Sequence, residues 1–231
     1  MQVQFLGTGG AFDYEYGNSA VWIRFRGYNV LLDCGYSVYD RLRKDNLADG
    51  VDYILITHCH DDHVGSLSSL ILHQTFLSSP ARRATILVPD ETFHQHLYQF
   101  IQFSLLSPDK YINFQPLSAL PGISAINTSG RHVEGMPSYG YILEDEDEIM
   151  VYSGDIGDPN FIFDQIRHLN HKPMRVFHEM SIEESDGIHT NYQALARHLA
   201  DFTIYAYHLD PRTIPADNEV PLVINFPDFL R

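Results

Sequence analysis

The segment THCHDDHVGS, residues 57–66, carries the strongest indication of fold and chemistry in this chain. It places three histidines and two aspartates within the six positions from His58 to His63. Crowding these groups without a shared ligand would bring no evident structural benefit. Neutral imidazole and carboxylate groups are donors for zinc, manganese and iron. The segment therefore predicts a metal site.

The spacing within this segment favours two adjacent cations over one. The apolar run YILI, residues 53–56, predicts a strand, and an extended chain turns His58 and His60 to the same side because side chains alternate. Asp62 and His63 then begin a helical pattern and point in another direction. Two imidazoles on one side and a carboxylate with an imidazole on the other suit two metal ions.

A closed metal site needs further donors from elsewhere in the chain. The best candidates are His132 in SGRHVEG, Asp155 in VYSGDIGD and His208 in YAYHLDP. Asp155 and His208 follow predicted strands, and strand ends are where ligand sites collect in layered α/β proteins. Taken alone, each histidine would be an ordinary polar residue before a turn, and Asp155 would be a turn former or helix cap.

Hydrophobic periodicity predicts a mixed α/β chain. Strands are predicted at 2–7, 20–25, 28–35, 52–57, 84–89, 139–145, 148–155, 174–179 and 202–208. Helices are predicted at 37–45, 63–76, 91–104, 160–170 and 191–201. This order favours two stacked mixed sheets with helices outside them. No linker or low-complexity segment divides the chain, so we expect a single domain over residues 1–231.

Composition narrows the range of partners. Thirty acidic against fifteen basic residues give a formal charge of −15, which should repel extended nucleic acid. A small anionic substrate stays compatible with that charge, because a bound cation reverses the potential locally. No signal peptide or apolar run of membrane-spanning length is visible, so we expect a cytoplasmic protein without membrane association. Cys34 and Cys59 do not resemble a disulfide framework and should be reduced.

The pattern H-x-H-x-D-H from His58 to His63 resembles the signature of the metallo-β-lactamase superfamily. LLDCG at 31–35 is similar to the Asp-bearing strand end that precedes this signature in the family. The resemblance implies an α/β (α+β) fold, a four-layer αββα sandwich with its metal site at one sheet edge.

The same resemblance implies a dinuclear ligand set. His58, His60 and His132 would bind the first metal, Asp62, His63 and His208 the second, and Asp155 would bridge the two. We expect two divalent ions, zinc first, with manganese and iron as alternatives that accept the same donors.

Three further segments resemble the tRNase Z branch of the superfamily. They are FLGTGGAF at 5–12, VFHEMS at 176–181 and IHTNYQA at 188–194. In that branch the residue matching His189 protonates the leaving oxygen, and the one matching Glu179 orients it. A carboxylate that holds an imidazole raises the imidazole pKa, which suits a general acid. Without the resemblance, Glu179 would be read as a solvated strand-end residue and His189 as a helix-start residue.

The chain also departs from the tRNase Z pattern. The tRNA-processing enzymes carry a long arm between the segments that match His132 and Asp155, whereas here these residues are 23 positions apart, an interval that reads as strand, acidic turn and strand. HLDPR follows at 208–212 where those enzymes show H-x-S-x-R-Y, and Ser181 replaces a threonine. These departures favour a small or cyclic phosphodiester substrate over tRNA.

We therefore expect a metal-dependent phosphodiesterase in which a hydroxide bridging two metals attacks the phosphorus. Asp62 would orient or deprotonate the attacking water, and Glu179 and His189 would serve the leaving group. Relatives in this branch imply a homodimer. The alternatives are a tRNase Z-type endoribonuclease, a thioester or lactone hydrolase of the same superfamily, and a non-catalytic binding module. The complete donor set disfavours the last of these.

Overall fold

The computed structural model describes residues 1–183 and 187–230 of the chain. Within them, two β-sheets form the centre of the fold. The six-stranded sheet contains, in spatial order, β1 (Gln2–Gly7), β2 (Ala20–Phe25), β3 (Tyr28–Leu32), β4 (Tyr53–Leu55), β5 (Ala84–Val88) and β6 (Ile112–Pro116). The five-stranded sheet contains β11 (Thr203–Tyr207), β10 (Met174–Glu179), β9 (Ile149–Tyr152), β8 (Tyr139–Glu144) and β7 (Ile123–Asn127).

Helices cover the outer faces of both sheets. They are α1 (Val38–Lys44), α2 (Asp61–Val64), α3 (Leu67–Phe76), α4 (Glu91–Leu105), α5 (Pro159–Ile166) and α6 (Tyr192–Ala196). Buried side chains of α1, α3 and α4 belong to one core with the six-stranded sheet. Buried side chains of α5 and α6 form a second core with β9, β10 and β11. The predicted αββα order of layers is confirmed.

Aromatic side chains join the two sheets face to face. Phe5 of β1 lies with its ring centre 5.2 Å from that of Phe177 and 5.8 Å from that of Tyr207. All three rings are buried, at 1% exposure or less. A hydrogen bond adds to this packing, because the Tyr141 hydroxyl donates to the carbonyl of Ile56 at 2.8 Å. The sheets are therefore held in a fixed relative position.

Strand direction brings the polar residues to one edge. Strands β3 to β6 run parallel to one another, as do β9, β10 and β11. Parallel strands place their carboxyl ends together. The backbone N–H of Tyr139, which opens β8, donates to the carbonyl of Thr57 at 2.9 Å, so the loop after β4 lies against the second sheet. Residues that follow β4, β9 and β11 consequently meet between the two sheets.

Each predicted strand and helix has a counterpart, with differences at the ends that have local causes. Strand β3 stops at Leu32 because Asp33 has φ of 65°, which turns the chain out of the sheet. The helix predicted at 63–76 is two helices, since the N–H of Ser66 bonds to Cys34 instead of continuing the helical pattern. Strands β6 and β7 were not predicted, because both are edge strands with partly exposed, mixed side chains.

The expectations for the cysteines and for membrane association can also be compared with the structure. Cys34 and Cys59 are free thiols and both are buried. Across the described ranges, no helix combines the length and the hydropathy that a bilayer crossing requires.

Replacing Phe5 with alanine tests the packing between the sheets. We expect the free energy of unfolding to fall by about 3–5 kcal/mol, because a fully buried aromatic ring leaves a cavity. Urea denaturation followed by circular dichroism would measure it. Tyr14→Ala is the control, since Tyr14 is 90% exposed and its loss should change stability by about 0.5 kcal/mol or less. Equal effects of the two substitutions would contradict the assignment.

Candidate metal centre

Three histidines form the first group of donors. The Nδ1 atom of His60 lies 2.9 Å from Nε2 of His58 and 3.1 Å from Nε2 of His132. The other ring nitrogen of His132, Nδ1, is 3.0 Å from the carbonyl of Ile188, which can only accept a hydrogen bond. A proton on Nδ1 leaves the lone pair of Nε2 directed at the cluster. The three nitrogens therefore converge as neutral donors.

The second group combines two carboxylates and two imidazoles. Oδ2 of Asp62 lies 3.2 Å from Nε2 of His63 and 3.1 Å from Nε2 of His208. Oδ2 of Asp155 lies 3.4 Å and 3.5 Å from the same two nitrogens. All four residues are buried, and their donor atoms lie within 4.8 Å of one another. This is the set that the resemblance implied for the second metal.

Asp155 lies between the two groups. The oxygen that contacts His63 and His208 is also 4.0 Å from Nε2 of His58 and 3.9 Å from Nε2 of His132. Burial opposes the charged carboxylate, but His208 and His63 more than offset it, so the pKa of Asp155 lies well below its ordinary value. An ionised oxygen between two donor groups has the position that a bridging ligand requires.

His63 is surrounded by three carboxylates, those of Asp33, Asp62 and Asp155, and this environment favours a cation. Its Nδ1 is 2.8 Å from the Asp33 carboxylate and donates to it, so in the neutral ring Nε2 carries the lone pair. Nε2 is buried and faces Asp62 and Asp155, with no hydrogen bond among the described residues. Burial opposes a charged imidazole, yet the neighbouring carboxylates raise the pKa of His63 well above its ordinary value. Acceptors that face one another in this way fit a dinuclear divalent-metal site.

Asp33 is a functional residue whose contacts the sequence did not reveal. Its carboxylate is fully buried and accepts hydrogen bonds from the backbone N–H of Thr57 at 2.8 Å and from the Thr57 hydroxyl. Burial raises the pKa of Asp33, although His63 and Thr57 favour the ionised form. The LLDCG segment drew attention to Asp33 in the sequence. Its hydrogen bond with His63 was not predicted, because the two residues are 30 positions apart. Asp33 therefore orients His63 from behind.

The N-terminal loop, residues 8–17, positions His208. The carbonyl of Thr8 accepts hydrogen bonds from the backbone N–H groups of His208, at 2.8 Å, and Leu209, at 3.2 Å. Gly10 lies close to the same segment, and a Cβ atom there would come within 3.2 Å of the His208 carbonyl. The LGTGG run thus has a structural role, because it holds the strand end that carries a metal donor.

Glu179 and His189 form a pair beside the donor groups. Oε1 of Glu179 lies 3.5 Å from Nδ1 of His189 and accepts backbone hydrogen bonds from Ile156 at 3.1 Å and Thr190 at 2.9 Å. Glu179 is fully buried, so a solvated strand-end carboxylate is the wrong interpretation of this residue. Burial raises its pKa, although His189 favours the ionised form. The His189 side chain remains 30% exposed.

Two adjoining cavities open onto this constellation. The first has a volume of about 530 Å³ and is lined by both donor groups and by His189. The second, of about 500 Å³, shares His189 and His208 with the first and is also lined by residues after β10 and β11. Volumes of this size accommodate small organic ligands.

Comparison with known proteins identifies the family. Residues 1–220 match the family described as Anti-Pycsar protein Apyc1. The chain belongs to this family. It is 29% identical over 210 residues to the Anti-Pycsar protein Apyc1 of Paenibacillus sp. (strain J14), covering 84% of this chain and 82% of that protein. It is 28% identical over 222 residues to the Anti-Pycsar protein Apyc1 of Bacillus phage BSP38, covering 87% of this chain and 84% of the phage protein.

Solved structures show the same fold as this Apyc1-family chain. The metallo-β-lactamase fold protein YhfI from Bacillus subtilis superposes with a TM-score of 0.70 at 18% identity, covering 94% of this chain and 88% of that one. A diphosphatase from the PhnP family superposes with a TM-score of 0.67 at 16% identity, covering 95% of this chain and 93% of that one. The short form of human tRNase Z superposes with a TM-score of 0.66 at 20% identity, covering 94% of this chain and 97% of that one. The metallo-β-lactamase fold expected from the sequence is thereby confirmed.

Two aspartate substitutions should affect metal binding to different degrees. Asp155→Ala should leave fewer than two metal ions per chain, because it removes an oxygen shared by both donor groups. Asp33→Ala should retain two sites but weaken affinity about 10- to 100-fold, since His63 loses its orienting partner. Elemental analysis and competition with a chromophoric chelator would measure these effects. Asp52→Ala, which removes a carboxylate bonded to Arg82, should change neither quantity. Two tightly bound ions in Asp155→Ala would contradict the assignment.

Proposed function

We propose that this protein is a metal-dependent phosphodiesterase that hydrolyses a small or cyclic phosphodiester. The observation that carries the proposal is the Glu179–His189 pair, which adjoins seven convergent metal donors and whose histidine lines both cavities. Metal donors alone suit many hydrolases. A held imidazole beside them supplies the proton that a poor leaving group such as a sugar alkoxide needs.

The metal ligands in this proposal are the seven convergent donors. They are His58, His60 and His132 on one side, Asp62, His63 and His208 on the other, and Asp155 between them. Two divalent cations held there would supply Lewis acidity and activation of the attacking water. We propose zinc as the metal, because imidazole and carboxylate donors at borderline-soft sites favour it.

Asp62 is proposed to orient the attacking water. Burial opposes its ionisation, but contacts from His208 and His63 lower the pKa of Asp62 far below its ordinary value. A carboxylate with such a low pKa is a weak base, although it remains a good hydrogen-bond acceptor. Of the two roles expected from the sequence, orientation is therefore favoured over deprotonation.

His189 is proposed to protonate the leaving oxygen. Its Nδ1 faces Glu179, so Nε2 is the ring nitrogen proposed to carry the transferred proton. Its ring lies 5.2 Å from that of His132 and 5.4 Å from that of His208, between the two donor groups. Glu179 is anchored by two backbone N–H groups and keeps the imidazole in the tautomer and orientation that a general acid needs.

RNA processing is the lesser candidate. The interval from His132 to Asp155 contains a short turn, β8, an acidic turn and β9, with no extended arm for gripping RNA. The formal charge of −15 adds repulsion toward a polyanion. Likeness to human tRNase Z at 20% identity extends to the fold alone.

A substrate panel with metal-loaded protein tests the proposed reaction. We expect turnover of bis(p-nitrophenyl) phosphate and of at least one cyclic nucleotide, with no trimming of a tRNA precursor and no hydrolysis of a thioester. Chromatography of products would follow each reaction. Efficient trimming of tRNA, or thioester hydrolysis without phosphodiester hydrolysis, would overturn the proposal.

His189→Ala should separate substrates by leaving group. Hydrolysis of a cyclic nucleotide should slow about 10²- to 10⁴-fold, because the alkoxide then departs without a proton. Hydrolysis of bis(p-nitrophenyl) phosphate should slow far less, since p-nitrophenolate leaves unprotonated. Metal content should remain at two ions per chain. His94→Ala, on α4 and outside both cavities, is the control and should retain full activity. Equal losses on both substrates would argue against the acid role.

Glu179→Gln should move the pH profile of kcat. The Glu179 carboxylate stabilises the protonated His189, so its removal lowers the imidazole pKa. Because the acid must be protonated to act, the basic limb of the profile should shift to lower pH. Steady-state rates on a cyclic nucleotide between pH 5 and pH 10 would show it. A lowered kcat with an unmoved basic limb would indicate that Glu179 only supports the local structure.

We further propose that the protein is a cytoplasmic homodimer. Helices α3 and α4 contact each other, and they and the residues that follow them carry Phe76, Leu77, Phe103 and Leu106, each more than 60% exposed. Such a surface suits burial against a second copy. Sedimentation analysis would test the association, with a monomer at micromolar concentration as the contrary result.

A further inference from the structure

Phe12 is an aromatic side chain left in solvent at the mouth of the site. It is 97% exposed, yet it lines both cavities together with Ala11, His189 and His208. An exposed ring gains nothing for folding, because burial of apolar area is what stabilises the folded chain. Its position beside the donor groups indicates a contact made with a ligand.

The N-terminal loop holds Phe12 by hydrogen bonds on both sides of it. The backbone N–H groups of Thr8 and Gly9 donate to the carbonyls of Tyr16 and Gly17 at 3.1 and 2.8 Å, which closes the base of the loop. Near the tip, the side chain of Asp13 accepts from the backbone N–H groups of Glu15 and Tyr16.

A second contact fixes the residue just before Phe12. The Tyr36 hydroxyl donates to the carbonyl of Ala11 at 2.7 Å. Tyr36 is itself 46% exposed and lines the first cavity. Two aromatic rings therefore stand at the same mouth on backbones that are already positioned, and a ligand that touches them pays little ordering entropy.

The lining of the first cavity includes two chemically different sets of residues. Donors of both metal groups and His189 suit a phosphate. Apolar contacts are offered by Ala11, Phe12, Tyr36, Val133 and Ile188. A volume of about 530 Å³ exceeds what a phosphate and a sugar need. The ligand that matches is anionic at one end and flat and aromatic at the other.

We propose that Phe12 is a specificity-determining residue that stacks on the base of a nucleotide substrate. The proposal rests on the proposed phosphodiesterase function and assigns Phe12 as the residue that contacts the base. Stacking tolerates any base, because every base has a π-face, so Phe12 selects for the presence of a base. Truncating a stacking side chain weakens binding by about 5- to 150-fold per base.

The test compares two ligands that differ only in the base, adenosine 5′-monophosphate and ribose 5-phosphate. Calorimetric titration of the metal-loaded protein gives the affinity of each without requiring turnover. Wild-type protein should bind the nucleotide more tightly, and Phe12→Ala should lose about 5- to 150-fold in nucleotide affinity while its ribose 5-phosphate affinity stays unchanged. Phe12→Trp should retain nucleotide affinity and Phe12→Leu should not, which separates stacking from general apolar contact.

Tyr28→Ala provides the control, because it removes an exposed aromatic ring that lines neither cavity and lies outside the apolar surface proposed for dimerisation. The proposal is overturned if wild-type protein binds the two ligands equally, or if Phe12→Ala weakens both or neither. A changed sedimentation coefficient with unchanged nucleotide affinity would assign Phe12 to a protein contact and would also overturn it. Failure of the phosphodiesterase reaction would appear separately, as absent turnover in the substrate panel.

Discussion

The site depends on compensating the negative charge of one buried carboxylate, that of Asp155. Oδ2 of Asp155 lies within 4.0 Å of five imidazole nitrogens, from His58, His63, His132, His189 and His208. A buried carboxylate is unfavourable unless charge and hydrogen bonds compensate it. Here the compensation comes from rings on both sheets, so neither sheet could form the site alone. The packing of Phe5 against Phe177 and Tyr207 matters to the chemistry because it sets the distance between those sheets.

Two residues of the site, Asp33 and His208, have a backbone conformation that is unfavourable for residues other than glycine. Asp33 and His208 both lie in the left-handed region, with φ of 65° and 70°. For residues other than glycine this conformation costs about 1–3 kcal/mol, and it persists only where surrounding contacts impose it. Asp33 is held by Thr57 and His63, and His208 is held by Thr8. The strain is therefore located where two strands must end abruptly to present a carboxylate and an imidazole.

Sequence reasoning reached the site through features that are local in the chain. The segment from His58 to His63 is recognisable because it contains three histidines and two aspartates in six positions. Asp155 and His208 are recognisable because each follows an apolar run that predicts a strand. Contacts between distant segments have no such signature. The bond from Asp33 to His63, the support of His208 by Thr8 and the exposure of Phe12 depend on which loops the fold brings together. Edge strands β6 and β7 escaped prediction for a related reason, because their burial is decided by position in a sheet and their own periodicity is weak.

The charge of the molecule constrains how an anionic substrate is captured. A formal charge of −15 works against long-range steering, so attraction must arise within a Debye length of the site, about 8 Å at physiological ionic strength. Bound cations reverse the potential locally, but they act on any small anion, including free phosphate. Selectivity then has to come from the uncharged part of the ligand, through contacts that salt does not screen. The aromatic side chains that line the same cavity as the donor groups meet that need, because they can bind a ligand that carries a ring and add nothing to the binding of charge alone.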